Sequence, residues 1–296
     1  MNQRGGTLTL LHFLQTHSSV GGATTPLLDV PPRLFFSRNA PMSDDESVYW
    51  LSYGGGVNST ALAVLLCQGE LKKYEPWRLV FADTRDEKPE TYDFIYGAFV
   101  PYLRRFGKVL EVVADREGVF DRWWRLGVVG SRTLRSCTDH AKITPISWHI
   151  RAHSRKARAI QMIGIDAGES HRARPARAGD PFDKLYPLVD LGIDRAGCEK
   201  IISAAGLQVP PKSGCWHCPF MRVGEIVQLA LKDPCKFDRI VALEDRSIAT
   251  QAPPDGAVRA QWGDKPARVW KERANGGPLF ATLDGPMPCE CFDGDR

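Results

Sequence analysis

The chain has 296 residues, 43% of them hydrophobic and 25% charged, enough for one large or two small globular units. Its formal net charge is +4 and its isoelectric point about 8.6, a mild basic excess that suits anionic substrates without demanding nucleic acid. No apolar run approaches the roughly 20 residues that span a bilayer, which excludes a membrane-spanning helix and leads to the expectation of a cytoplasmic protein with no membrane partner.

Residues 1–41 are rich in Gly, Thr, Pro and Ser and carry a single acid, Asp29. Met42-Ser-Asp-Asp-Glu46 reads as a natural start, so the stretch over 1–45 is expected to be an over-extended start or a disordered arm, with an organelle transit peptide as the competing reading. The rest divides into an α/β unit over 46–190, a helical cysteine-containing region over 191–250 and an extended tail over 251–296.

Val48-Tyr-Trp-Leu-Ser-Tyr53 reads as a buried strand that runs into Gly54, Gly55 and Gly56 and then into a helix opened by Asn58, Ser59 and Thr60. Glycines permit positive φ and close backbone approach, and a helix start offers amides that lack intrahelical partners. Together they make a phosphate cradle, for which Ser52, Gly54, Gly55, Gly56, Asn58, Ser59 and Thr60 are the candidate contacts. A tight turn with no ligand is the plain alternative. No Gly-Lys-Ser/Thr follows, and the Gly-x-Gly-x-x-Gly spacing is absent, so neither common nucleotide loop applies.

Strand and helix then alternate, the pattern of a parallel sheet with crossover helices. Strands are expected at Arg78–Ala82, Val109–Val113, Ala159–Ile165 and Tyr186–Val189, and helices over Glu90–Phe106 and Lys142–Ala157. The Gly turn, Asp83 and Gly164 would then share the carboxyl edge of the sheet, where open α/β folds bind ligands. Short helices at Asp194–Ala204 and Val223–Leu231 flank a cysteine turn, and a Pro- and Gly-rich tail follows Gln251.

Several segments, in order, resemble the phosphoadenosine phosphosulfate (PAPS) reductase family within the ATP-pyrophosphatase, or adenine nucleotide alpha-hydrolase, superfamily. Gly55, Gly56 and Ser59 match its Ser-Gly-Gly-x-Asp-Ser loop, although Gly54 replaces the first Ser and Asn58 the Asp. Asp83-Thr84 with Pro89-Glu-Thr91, Cys137-Thr138 with Lys142 and Pro145, Gly164-Ile-Asp166 with Glu169-Ser170 and Arg172, and Tyr186-Pro-Leu-Val-Asp190 resemble further family segments over residues 48–222. The resemblance implies a Rossmann-like fold, an adenine nucleotide (ATP, PAPS or its unphosphorylated analogue) as cofactor or substrate, and Mg²⁺ as an accompanying ion. It implies catalytic roles for Lys142 and Arg172, with Asp83 and Gly164 among the cofactor contacts. Asn58 is a weaker partner than a carboxylate for magnesium-bound phosphate, which counts against ATP cleavage more than against nucleotide binding. An acceptor substrate, and an electron donor such as thioredoxin, complete the implied partners.

Eight cysteines occur, and Cys215-Trp-His-Cys218 places two on one turn before a proline, a metal-ligand pattern. Cys137 and Cys198 are the candidates to complete a four-sulfur set. That set resembles the [4Fe-4S] arrangement of sulfonucleotide reductases, although their tandem cysteine pair is absent here. Zinc held by Cys137, His140, Cys215 and Cys218 is the alternative. Near the end, Glu290-Cys291 matches the start of the reductases' catalytic tail motif, and Cys291 is either a mobile nucleophile or an inert tail thiol. Phe120-Asp-Arg-Trp-Trp-Arg125 reads as core packing or as a contact surface for a larger assembly. Sulfonucleotide reduction, ATP-dependent adenylation with sulfur transfer, and a catalytically degenerate nucleotide-binding component of a DNA-modification or phage-defence assembly are the three functional readings.

Overall fold

A computed structural model describes residues 47–130, 132, 136–155, 157–251, 260–263 and 265–275. Cys291 lies outside the described residues.

β1 (Ser47–Tyr53) passes through the glycine turn into α1 (Val57–Cys67) and returns as β2 (Trp77–Asp83). A helix with two irregularities, α2 (Pro89–Phe94), a π segment (Ile95–Phe99) and α3 (Val100–Arg104), leads to β3 (Leu110–Ala114). Next come α4 (Val119–Leu126), a single turn α5 (Ser136–Thr138), a second π segment (Asp139–Ile143) and α6 (Thr144–His153). β4 (Arg158–Ile163), a 3-10 stretch (Ala167–Arg172), β5 (Asp183–Leu185) and α7 (Pro187–Asp190) follow. The later helices are α8 (Arg195–Ala204), α9 (Val223–Lys232), α10 (Pro234–Gln251) and α11 (Ala267–Asn275).

The five strands form one parallel sheet in the order β3-β2-β1-β4-β5. This is the α/β architecture expected from the alternation of strand and helix. Side-chain alternation splits the sheet's two faces. Leu51, Tyr53, Leu79 and Phe81 meet α1, α2, α3 and α8 in one core, while Val48, Trp50, Val80 and Ala82 meet Ile146 and Ile150 of α6 in another. A third core, of α4, α9, α10 and α11 with Trp216 and Trp262, carries the helical region. Phe120 and Trp123 are buried in it, which favours the packing reading of that aromatic stretch; Trp124 remains exposed. None of the helices among the described residues is long and apolar enough to cross a membrane.

Two expectations need correction. Tyr186–Val189 is not the fifth strand: β5 ends at Leu185 and Pro187 starts a one-turn helix. A proline at the first helical position gives up an amide that would be unpaired anyway, and its fixed φ favours the helix. The long helix after Pro89 is also not uniform. Each π segment stands directly before a turn containing a proline, Pro101 or Pro145. A ring without an N–H removes one helical hydrogen bond and crowds the carbonyl four residues back, and the wider turn absorbs both effects. The second widened turn carries Lys142.

Candidate functional site

The carboxyl edge of the sheet is built first by the glycine turn. Gly55 has φ +72°, and a Cβ there would come within 3.0 Å of Ile95 Cδ1 and 3.1 Å of Thr91 Cγ2. The turn is braced by Gly54 N donating to Ser59 Oγ (3.3 Å) and by Ser59 Oγ and Thr60 Oγ1 donating to Gly56 O (3.2 and 2.8 Å). No side chain caps α1, and the ladder begins with Thr60 N to Gly56 O at 3.1 Å. The amides ahead of Thr60 therefore project their partial positive charge at the turn. The chain just past β4 closes in from the side: a Cβ on Gly164 would sit 2.7 Å from Ser59 N and 2.8 Å from Ser59 Cα. Ser52 belongs to the sheet beneath, where its hydroxyl accepts from Gln161 Nε2 at 2.7 Å.

Asn58 does not stand alone. Its Nδ2 donates to Asp166 Oδ2 at 2.9 Å, and Asp166 Oδ1 accepts from Glu169 N at 3.1 Å. Asn58 Oδ1 is buried with no hydrogen-bond partner in the protein. An orphaned acceptor beside free helix amides leaves a lone pair for a ligand, a water or a cation. Magnesium takes oxygen donors, so this oxygen and the Asp166 carboxylate fit it. The fold thus sets a carboxylate against Asn58 from 108 residues further along the chain.

The second part of the edge follows β2. Asp83 Oδ1 accepts from Arg85 N (2.8 Å) and from Tyr92 OH (2.5 Å); burial first and Asp83 second push the Tyr92 phenol up. Arg85 is the non-glycine residue with positive φ among those described, +62°. Such backbone strain gathers where a loop must present specific groups. Beyond it, Glu87 is fully buried and paired with Lys142 Nζ at 3.1 Å. Thr84 Oγ1 donates to the same Glu87 oxygen at 3.2 Å and accepts from the Cys215 thiol at 3.4 Å. Glu87 Oε2 is left without a hydrogen-bond partner.

Cys215, Thr84, Glu87 and Lys142 therefore form one continuous polar chain. Burial and the charge of Glu87 push the Cys215 thiol well up, while Lys142 pulls it down. A proton leaving Cys215 has a route through the Thr84 hydroxyl to the Glu87 carboxylate. That is the chemistry a thiol needs to become a nucleophile or a metal ligand.

The cysteine turn reaches this place by docking on the loop after β2. Lys88 N donates to Gly214 O (3.0 Å), Trp216 N to Asp86 O (2.9 Å), and Glu87 and Cys215 form an antiparallel bridge. Trp216 Nε1 and Phe120 N also donate to the Asp86 carboxylate, at 3.2 and 2.8 Å. Ser213, at the start of this segment, lies over the glycine turn, 3.2 Å from where a Gly56 Cβ would be. Glu225 fastens the segment: its carboxylate takes Lys88, Lys212 (2.8 Å) and Arg222 N (3.0 Å). Burial alone would raise its pKa, but these donors hold it down at about 2. A depressed carboxylate contributes stability that is full above its unfolded value of 4.5 and is lost as pH falls toward 2. Glu225→Gln should cost roughly 1–3 kcal/mol at neutral pH and flatten the acid limb of stability over that window, read by denaturant titration from pH 2 to 7.

The proposed cysteine ligands do not all meet. Cys218 N donates to Cys215 O at 3.1 Å, so these two share a turn, and Cys137 and Cys218 pack against the same aromatic core. Cys198 is elsewhere: fully buried on α8, packed in the α1 core, with its thiol raised to about 12 by burial first and then by Asp166. It packs in a different core from Cys137 and Cys218. Spacing hides this, because Cys198 and Ile202 sit one turn apart on the buried face of an amphipathic helix. Cys137, His140, Cys215 and Cys218 are also not gathered within the 4.8 Å span that a single ion's ligands occupy. Cys137, Cys215 and Cys218 remain the candidate thiolate ligands, a donor type that both zinc and iron–sulfur clusters accept. Arg172, on the 3-10 stretch after β4, is ion-paired with Glu169 at 2.5 Å.

No protein-family model matches the chain, and no curated protein does. Among solved structures it is distantly similar to a PAPS reductase from Candida auris in a phosphate complex, at 15% identity and a TM-score of 0.43, over 57% of this chain and 81% of that one. It is also distantly similar to a U34-tRNA thiolase from Methanococcus maripaludis with its [4Fe-4S] cluster, at 12% identity and a TM-score of 0.38, over 77% and 81%.

Proposed function

We propose that the protein binds an adenine nucleotide at the Gly54–Thr60 turn and carries out sulfur chemistry beside it, as a PAPS-reductase-like enzyme. The observation that carries this reading is the meeting of two unlike parts at one sheet edge. A braced glycine turn with uncapped helix amides lies under Ser213, and two residues on, Cys215 is wired through Thr84 to the Glu87–Lys142 pair. The amides and Lys142 would stabilise negative charge developing on phosphate or sulfate. Asp83, at the end of β2, is placed to accept from ribose or adenine. Thr84 and Glu87 would take the Cys215 proton. When bound at Cys137, Cys215 and Cys218, an iron–sulfur cluster would supply an open iron that holds sulfur.

Reduction of a sulfonucleotide and ATP-dependent adenylation with sulfur transfer both use these parts. Asn58 in place of an acid favours reduction, since no pyrophosphate need be cleaved. Asp166 at hydrogen-bond distance supplies the carboxylate that adenylation requires. Titration calorimetry with PAPS, and with ATP and Mg²⁺, tests the nucleotide step: binding of either is expected, and binding of neither overturns the reading. Anaerobically purified protein should contain iron and sulfide, and Cys215→Ser should lose both. Iron retained by that variant would exclude Cys215 as a ligand. A second reading, a nucleotide-binding component without catalysis, is favoured by Asn58 alone; it predicts nucleotide binding with no metal at the cysteine turn.

A further inference from the structure

A second group of ligating side chains stands away from this edge, under α6. Glu111 of β3 and His149 and His153 of α6 each bring one ligand atom to within 4.8 Å of the other two. We infer that Glu111, His149 and His153 form a binding site for a zinc-class divalent ion that clamps α6 onto β3.

Each ligand is already oriented for it. The two histidines are four residues apart, so they project from one stripe of the helix, beside the Ile146 and Ile150 stripe that faces the sheet. His153 Nδ1 donates to the carbonyl of His149 at 2.8 Å, which orients the ring and gives Nε2 the lone pair. His149 points Nε2 at Glu111 Oε2, 2.6 Å away, and stands edge-on to Trp50 with ring centres 5.6 Å apart. Arg78 Nε holds the other Glu111 oxygen at 2.7 Å while its guanidinium lies on the Trp50 face, 4.3 Å from the ring centre. That contact fixes the carboxylate and leaves Oε2 to the ion.

Two imidazoles and a carboxylate are the donor set zinc accepts, with a water in the fourth position. Bonds near 2.0–2.1 Å place tetrahedral ligands roughly 3.3 Å apart, so Glu111 and His149 would open by less than an ångström from their hydrogen bond. The histidine–carboxylate hydrogen bond joins the first pair, and the third ligand atom stands within the same 4.8 Å span one turn on. The site is separate from the nucleotide edge: Glu111 pairs with Val80, three residues before Asp83, or about 10 Å along the strand. Its effect would still reach that edge, because α6 continues directly from the π segment that carries Lys142.

The test is a Co²⁺ titration of the full, metal-stripped chain beside His153→Ala. The difference between the two should be a visible ligand-field band without thiolate-to-cobalt charge transfer, and the variant's affinity at this site should fall roughly tenfold or more. Zn²⁺ should raise the melting temperature of the parent by more than that of the variant. If His153→Ala is misfolded by circular dichroism, Glu111→Gln, which keeps size and shape, replaces it in the same comparison. Equal cobalt spectra and affinities in parent and variant overturn the site, as does a difference spectrum made up of thiolate charge transfer.

Discussion

Gly164→Ala is expected to abolish nucleotide binding and to lower stability by about 1–3 kcal/mol. The added methyl carbon would stand 2.7 Å from the amide nitrogen of Ser59 and 3.0 Å from the carbonyl carbon of Asn58. Those are backbone atoms in the first turn of α1, so no rotamer relieves the contact. Either β4 recedes from β1 or the turn is pushed out of shape, and both spoil the amide cradle. Gly55→Val should also lose binding, because φ of +72° is unfavourable for a β-branched residue. Its neighbours, Ile95 and Thr91, are side-chain atoms that can give a little. Gly97→Ala is the control: nothing lies within 4 Å of that position, and the variant should bind and fold like the parent. Calorimetric binding together with denaturant unfolding checks all three. Undiminished nucleotide affinity in Gly164→Ala would remove the turn from the binding site.

Lys142→Met should destabilise the protein by about 3–5 kcal/mol, because it strands the Glu87 carboxylate in a site from which water is excluded. Glu87 has a side-chain exposure of 0%, and one of its oxygens has no hydrogen-bond partner even in the intact protein. Pairing Lys142→Met with Glu87→Gln should recover most of the loss, since the uncompensated charge is then gone. The double variant separates structure from chemistry. If Lys142 serves only to neutralise Glu87, nucleotide affinity returns with stability. If it meets phosphate or sulfate, stability returns and affinity does not. The second outcome is expected.

Much of this edge is legible in residue order because its parts are local. A strand, three glycines and a hydroxyl-rich helix start are contiguous, and Asp83 and Gly164 each follow a short apolar run. The partners that complete the site are not local. Glu87, in Asp-Glu-Lys-Pro, reads as an exposed acid, and its burial depends on Lys142 and on the cysteine turn closing over it. Asp166 reads only as part of a loop after a strand until the fold sets it against Asn58. Ser213 carries no signal at all. Tyr186-Pro-Leu-Val fails for a different reason: four apolar residues show neither a period of 2 nor one of 3.6, so only the proline decides. Cys198 was matched by residue type alone, while its helical register with Ile202 pointed to the core.

The segment from Ser213 to Cys218, fastened to the loop after β2, has a consequence for how the molecule is made. The last strand among the described residues ends at Leu185, so a chain emerging from the ribosome has all five strands of the sheet, and the glycine turn, before the covering segment exists. For that interval Thr84, Glu87 and Lys142 face water, and the cradle lacks its thiol. The cysteine turn can therefore close over this edge only after the sheet is complete, and the helices α9, α10 and α11 that it packs with are translated later still.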